Sequence, residues 1–151
     1  MATYSGTMNS YDSFSVASMD GTIDLDSDVL KVALFTSAYV PAATQAAYAG
    51  LSGEVANGSG YLTGGQALAG VTFTQTGGVA WLRANDSIWA VTGGSVTCRY
   101  YVIYSETATG NDLICWGLID DGNSDVTIID SFGLTLGWNA SGIIEVRMQD
   151  A

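Results

Sequence analysis

The amino-acid sequence predicts a mainly β fold, an antiparallel β-sandwich or barrel with one or two short helices. Short segments rich in β-branched and aromatic residues recur along most of the chain. Glycine-rich turn signals separate them at a spacing typical of sandwiches and barrels. No linker or internal repeat divides the chain, so residues 1–151 are expected to form a single β domain.

The beginning of the chain is the least regular part. Residues 1–10 show no clear periodicity, and two interpretations remain open: a flexible N-terminal arm that orders on docking, or a frayed end. Residues 12–21 predict a short helix, because Asp12 is a suitable N-cap and Gly21 a suitable residue just past the end.

Two further elements are predicted before the β-rich part of the chain. Residues 29–36 predict a strand with Leu30, Val32 and Leu34 on one face. The alanine-rich residues 42–50 favour a second short helix.

The rest of the chain is expected to be β structure joined by turns. The segment 95–104 carries the strongest strand signal, and 113–119 is expected to be its hairpin partner. The predicted strands cover residues 68–75, 79–83, 87–91, 95–104, 113–119, 126–129, 134–138 and 143–148.

Both faces of the segment 95–104 are apolar, because Tyr101 and Ile103 alternate with the neighbouring Val102 and Tyr104. The strand is therefore either central to a sandwich or covered on one side by another subunit. Arg99 lies on the same segment and is expected to have a carboxylate partner, since a buried unpaired guanidinium is very costly.

Composition limits the classes of partner. The chain has 4 basic and 15 acidic residues, a net charge of −11, and 48% hydrophobic but only 13% charged residues. Nucleic acids and anionic membranes are disfavoured, because both are bound by clustered Lys and Arg. So little charge predicts an apolar patch that other subunits cover, and hence a homo-oligomer.

The sequence also predicts where the chain is made. The longest apolar run, residues 113–119, is far shorter than a membrane-spanning helix requires. The first residues lack the basic and apolar regions of a secretion signal. We therefore expect a soluble chain synthesised in the cytoplasm.

Most enzymatic chemistry is disfavoured, and no cofactor is predicted. The chain has no histidine, so no nucleophile has its usual base, and no Cys/His cluster or phosphate-binding loop is present. Its charge should be nearly constant between about pH 6 and about pH 8. A glycosidase that uses a carboxylate pair remains open as an alternative.

Two acidic stretches have the spacing that opens a calcium loop. Both lack the glycine and the glutamate that such a loop needs further along, so we interpret them as solvated turn carboxylates and predict no metal site. They are Asp24-x-Asp26-x-Asp28 and Asp121-x-Asn123-x-Asp125.

The cysteines and tryptophans each leave two interpretations. Cys98 and Cys115 lie on strands expected to pair, in near-diagonal positions; buried free thiols are favoured, and a disulfide is the alternative. The tryptophans are expected mainly to pack in the core, and the alternative is that they stack on sugars. They are Trp81, Trp89, Trp116 and Trp138.

Several motifs, spread over nearly the whole chain, resemble those of a family of small virion proteins of tailed bacteriophages. They are DLDSDVLKVAL (24–34), TSAYVP (36–41), LSGEV (51–55), GSGYLTGG (58–65), NDSIW (85–89), TCRYYVIY (97–104), LICWG (113–117) and WNASGII (138–144). The resemblance implies a head decoration or cement protein, a small β domain that braces the assembled shell. It implies no catalytic residues and no cofactor, and it does not identify the contact residues.

Three functions follow as hypotheses. The first is a non-enzymatic capsid decoration protein on the virion surface, a homo-oligomer whose partners are the major capsid protein or other virion proteins. The second is a tail- or fibre-associated adhesion module that binds host glycans through exposed aromatic side chains. The third is a carboxylate enzyme, which requires two acids facing each other across a cleft.

Overall fold

The computed structural model describes residues 2–4 and 8–147, and it confirms a mainly β fold with one short α-helix. The elements are β1 (Ala2–Tyr4), β2 (Met8–Ser10), α1 (Asp12–Met19), β3 (Leu30–Phe35), a 3-10 helix (Tyr48–Gly50), β4 (Gln66–Ala67), β5 (Thr72–Thr76), β6 (Val79–Arg83), β7 (Ser87–Ala90), β8 (Ser95–Cys98), β9 (Tyr100–Ser105), β10 (Leu113–Leu118), β11 (Val126–Ile129), β12 (Gly133–Leu136) and β13 (Ile144–Arg147).

Within the described ranges the strands form four sheets, and nearly all the pairings are antiparallel. The largest sheet has the order β2-β10-β9-β3-β4. Two three-stranded sheets have the orders β1-β12-β7 and β13-β6-β5, and β11 pairs with β8. The exception is β1, which runs parallel to β12.

Strand β9 is the centre of the largest sheet, and hydrophobic clusters cover both of its faces. Its partners are β3 on one side and β10 on the other, which confirms the predicted hairpin. Tyr101 and Ile103 belong to the main core, whereas Val102 and Tyr104 belong to a second cluster rich in aromatic residues. The prediction that this strand is central is confirmed.

Tyrosine hydroxyls tie the long segment between β3 and β4 to the sheet. Tyr61 donates to Glu54 Oε1 at 2.7 Å and accepts from the N–H of Leu34 at 3.1 Å. Tyr104 donates to the carbonyl of Gly64 at 2.8 Å. These hydroxyl bonds fix the segment to the sheet, because each joins a buried polar group to a partner across the packed interface.

Of the two predicted helices, the structure confirms the first. Helix α1 begins at Asp12, but Tyr11 is the N-cap and has no side-chain capping bond, so Asp12 lies in the first turn. Gly21, with φ +83°, follows the C-cap Asp20 as expected. In the part of the chain that the structure describes, no helix is long and apolar enough to cross a membrane.

The second helix, expected over residues 42–50, was wrong: only the 3-10 turn at its end is helical. Residues 42–45 form a turn, in which Gln45 N–H donates to Ala42 O at 3.1 Å. Residues 46–48 pair with residues 111–113, since Tyr48 N–H donates to Asn111 O at 3.0 Å and Leu113 N–H to Ala46 O at 2.9 Å. The ring of Tyr48 also stacks on Tyr104 at 4.1 Å. Tertiary pairing therefore overrides the helix propensity of alanine.

Two strand predictions also needed correction. The segment 95–104 divides at Arg99, and its halves β8 and β9 join different sheets. The segment 68–75 is replaced by β4 and β5, separated by a turn in which Gly70 has a φ of +62°. A residue with a side chain is strained in that conformation, so the strand is interrupted there.

Residues 2–4 and 8–10, for which a flexible arm and a frayed end were both left open, form strands. β1 extends the sheet of β12, and β2 pairs with β10 through Ser10 and Cys115 among others. Met1 and residues 5–7 lie outside the described residues. Pairing with distant strands fixes residues 2–4 and 8–10, and such pairing leaves no local sequence signal.

A matched pair of glycine substitutions tests the close approach of the loop before β4 to β3. Gly65 and Gly77 have similar φ values, +72° and +61°, but a Cβ at Gly65 would lie 1.9 Å from the carbonyl oxygen of Val32, whereas one at Gly77 would meet nothing. We expect Gly77→Ala to lower the free energy of unfolding by about 1 kcal/mol and Gly65→Ala by about 3 kcal/mol or more. Urea denaturation measures both; equal losses would contradict the close approach.

Candidate functional site

A groove of about 590 Å³ is the candidate functional site. It lies where the segment after β12 meets β6 and β13, and its volume is in the range of small-molecule sites. Aromatic rings and polar side chains line it together. Its lining includes Trp81, Asp121, Trp138, Asn139, Ser141 and Glu145.

Trp138 is held in place by several contacts. Its indole N–H donates to the carbonyl of Asn85 at 3.1 Å, and its backbone N–H donates to Asp86 Oδ1 at 3.2 Å. Its ring meets that of Tyr101 edge to face, with centroids 5.4 Å apart. The half-buried indole therefore has a fixed position in the groove wall.

Tyr101 supports Trp138 from the main core, and a glycine makes room for it. Gly117 is the partner of Tyr101 across the β9–β10 ladder, and a Cβ at Gly117 would lie 2.6 Å from the tyrosine ring. The ring thus occupies the space that a side chain at position 117 would fill.

Trp81 and Glu145 are directly opposite each other on β6 and β13, so their side chains share one face of the sheet. The guanidinium of Arg83 lies 5.2 Å from the centre of the Trp81 ring. Arg147 forms an ion pair with Glu145. One face of the indole and one of the groove's two carboxylates are therefore already in contact with a cation.

The turn after Trp138 supplies further polar groups. Asn139 Oδ1 accepts from the N–H of Ser141 at 2.9 Å, and Gly142 N–H donates to Asn139 O at 2.7 Å. Gly142 has a φ of +101°, and a Cβ there would lie 2.6 Å from the carbonyl of Leu82. The turn over residues 139–142 therefore packs directly on β6.

No protein-family model, curated protein or solved structure matches this chain. The chemistry of the groove must therefore be judged from its own side chains. Asp121 and Glu145 provide hydrogen-bond acceptors, and the two indoles provide flat apolar surfaces. This combination is suited to holding a ligand that has both apolar faces and hydroxyl groups.

The four tryptophans occupy three environments. Trp81 and Trp138 line the groove, and Trp89 is buried in the main core with 5% of its surface exposed. Trp116 is half-buried and meets Tyr100 in the second cluster. Core packing, the favoured expectation, describes Trp89 best, whereas the sugar-stacking alternative still suits the pair in the groove.

The polar lining of the groove was missed by sequence reasoning. Glu145 lies on a predicted strand and Ser141 just before it, but nothing in their local pattern distinguishes them from other surface residues. The available signal was the pairing of β6 with β13, which places Glu145 opposite Trp81. That register depends on long-range contacts.

The acidic stretches form hydrogen-bonded turns. Asp28 Oδ2 accepts from the N–H of Asp24 and from Ser105 Oγ, and Asp24 Oδ1 accepts from the N–H of Asp26. In the second stretch Asp125 pairs with Arg99 Nε at 2.8 Å, which confirms the carboxylate partner expected for Arg99. Among the residues that the structure describes, no group of three His, Cys, Asp or Glu side chains is placed to hold a metal ion.

The cysteines are free, buried and far apart in register. Cys115 lies opposite Ile103 on β9, whereas Cys98 lies opposite Val126 on β11. The expected near-diagonal placement was therefore wrong, because the segment 95–104 divides at Arg99 and leaves Cys98 on β8, which pairs with β11 and not with β10. The disulfide alternative was therefore wrong as well.

The glycine behind Tyr101 allows a test of how the groove wall is supported. We expect Gly117→Ala to lower the free energy of unfolding by about 1–3 kcal/mol, because the new methyl group must displace the tyrosine ring. The near-UV circular dichroism of the tryptophans should change as Trp138 loses its edge contact. Gly50→Ala is the control, since a Cβ there meets nothing within 4 Å. An unchanged spectrum in Gly117→Ala would contradict the proposed support.

Buried thiols predict a loss of stability in alkali. Burial, assisted by the charge of Asp125, raises the pKa of Cys98 to about 12, and burial also raises the pKa of Cys115. Unfolded thiols titrate near pH ~8.5, so above that pH the unfolded state releases protons that the folded state retains. The free energy of unfolding should fall by up to about 1.4 kcal/mol per pH unit for each thiol.

Urea denaturation between about pH 8.5 and about pH 10 measures this slope below the range where unfolded tyrosines titrate. The slope should be smaller in the double variant Cys98→Ala/Cys115→Ala, whatever its absolute stability. A slope that is the same in the variant and in the wild type would show that the thiols are not responsible.

Proposed function

We propose that this chain is a non-enzymatic structural virion protein, a decoration or cement protein that binds and stabilises the head of a tailed bacteriophage. On this proposal it is synthesised in the host cytoplasm, forms a homo-oligomer and contacts the major capsid protein or other virion proteins at the capsid surface. The supporting observations are the motif resemblance, the low charge and an apolar surface patch.

The observation that carries the proposal is a set of large apolar side chains exposed around strand β7. We call it the β7 patch, and its members are Leu62, Ile88, Ile129 and Phe132, which are 69%, 52%, 58% and 56% exposed. Exposed apolar side chains are common singly, but a group of them indicates a contact surface.

Backbone contacts bring the segments of the β7 patch together. The loop that carries Leu62 meets the chain just after β7, since Thr92 N–H donates to Ser59 O at 3.2 Å. Ile129 and Phe132 belong to one tight turn, in which the N–H of Phe132 donates to the carbonyl of Ile129 at 3.1 Å. The carbonyl of Phe132 then accepts from the N–H of Val91, the residue just after β7, at 2.9 Å.

The energy available from the β7 patch favours many copies acting together. Covering the exposed half of such a side chain stabilises a complex by about 1 kcal/mol. Association of two proteins costs about 4–15 kcal/mol in lost freedom of motion, so one copy would hold weakly to a shell. Linked subunits raise the effective concentration at neighbouring sites, which turns weak contacts into stable attachment.

A second candidate function is the tail- or fibre-associated adhesion module. The observation that favours it is the groove, in which Trp81 and Trp138 lie with hydrogen-bond acceptors beside them. Host glycans are the corresponding partners.

The decoration proposal predicts that purified protein binds phage shells that lack it and raises their resistance to heat. Ile88→Ser and Phe132→Ser should each lower the affinity for shells by about tenfold, because both lose apolar contact area. Occupancy is measured by co-sedimentation, and shell rupture by calorimetry.

Val16→Ser is the matched control, because Val16 is 65% exposed but lies on helix α1, away from the β7 patch in sequence. It should bind shells as the wild type does. Equal binding by all variants would reject the β7 patch as the contact surface. No binding by the wild type would reject the decoration role and leave the adhesion module as the better candidate.

A further inference from the structure

We propose that the groove beside Trp81 and Trp138 is a binding site for an uncharged saccharide, with pyranose rings stacked on the two indoles. This inference deepens the second candidate function by naming the ligand class. It does not depend on the decoration role, since a capsid surface protein can carry such a site as well.

The arrangement of the indoles supports stacking. Trp138 is fixed before any ligand arrives, by its bonds to Asn85 and Asp86 and by the edge contact with Tyr101. A pre-positioned aromatic surface loses little freedom on binding, which favours affinity. The C–H faces of a pyranose ring are apolar and flat, so they are complementary to an indole ring.

The polar lining matches the rim of a sugar ring. Hydroxyl groups of a pyranose project roughly in the plane of the ring, so they would reach side chains beside the indoles. Asp121, Ser141 and Glu145 line the groove and can accept such hydrogen bonds. Bonds to ionised acceptors are the stronger kind.

Charge distinguishes between classes of ligand. The whole chain carries −11, so its overall field disfavours an anionic glycan. A cationic ligand would also find few unpaired anionic groups in the groove. Arg147 already pairs with Glu145, and Arg83 already lies over Trp81, which leaves Asp121 as the remaining carboxylate in the described lining. An uncharged sugar needs no compensating charge.

Isothermal titration calorimetry with maltohexaose, cellohexaose and chitohexaose tests the proposal on the intact protein. We expect at least one of them to bind, and Trp81→Ala and Trp138→Ala each to weaken that binding by about tenfold. Trp116→Ala is the matched control, because Trp116 is also half-buried but lies in the second cluster, outside the groove; its affinity should be unchanged.

Tryptophan fluorescence of the wild type provides a readout that needs no variant to fold. Binding should shift the emission to shorter wavelength as the groove indoles lose contact with water. Tighter binding of heparin or of polylysine would overturn the assignment to an uncharged ligand. The absence of binding by all three oligosaccharides at millimolar concentration would overturn the site.

Attachment to host cells separates this inference from the function on which it rests. If the wild type attaches to cells and the oligosaccharides compete with that attachment, both the adhesion role and the groove site are supported. If it attaches and Trp138→Ala attaches equally well, the adhesion role survives and the groove is not its site.

Discussion

The fold depends on strand β9, which is buried on both faces and paired on both edges. Its alternate residues serve two hydrophobic clusters: Ile103 lies in the main core and Val102 in the aromatic cluster, and both are fully buried. Strands β3 and β10 pair with its two edges. A polar side chain in this strand needs a partner inside the protein, as buried Ser105 has in Asp28 Oδ2, so the otherwise apolar run follows from its position.

The groove follows from that central position. Tyr101 projects from β9 toward Trp138 because its partner Gly117 has no side chain to compete for the space. On the other face of β9, the ring of Tyr104 stacks on Tyr48, and its hydroxyl donates to the carbonyl of Gly64. One strand therefore positions both the groove wall and the long loop that precedes β4, so the loop and the groove are parts of one packed structure.

The two proposed surfaces differ in the physical interaction they would use. The β7 patch offers aliphatic and aromatic area with little charge, which is suited to a protein surface that excludes water. The groove offers fixed indoles with acceptors beside them, which is suited to a hydroxylated ligand. A decoration protein with a saccharide site would hold the shell with one surface and meet the cell envelope with the other.

The sequence by itself determined the β class, the hairpin of β9 and β10 and several strand bounds, because alternation and turn residues are local signals. In two segments, contacts between distant parts of the chain override the local preference. Residues 46–48 pair with residues 111–113 and do not continue a helix, and the segment 95–104 divides because its halves join different sheets. The groove likewise exists only through the register that sets Glu145 opposite Trp81. Pairing between distant strands is set by the packing of the whole core, and no short stretch of sequence encodes it.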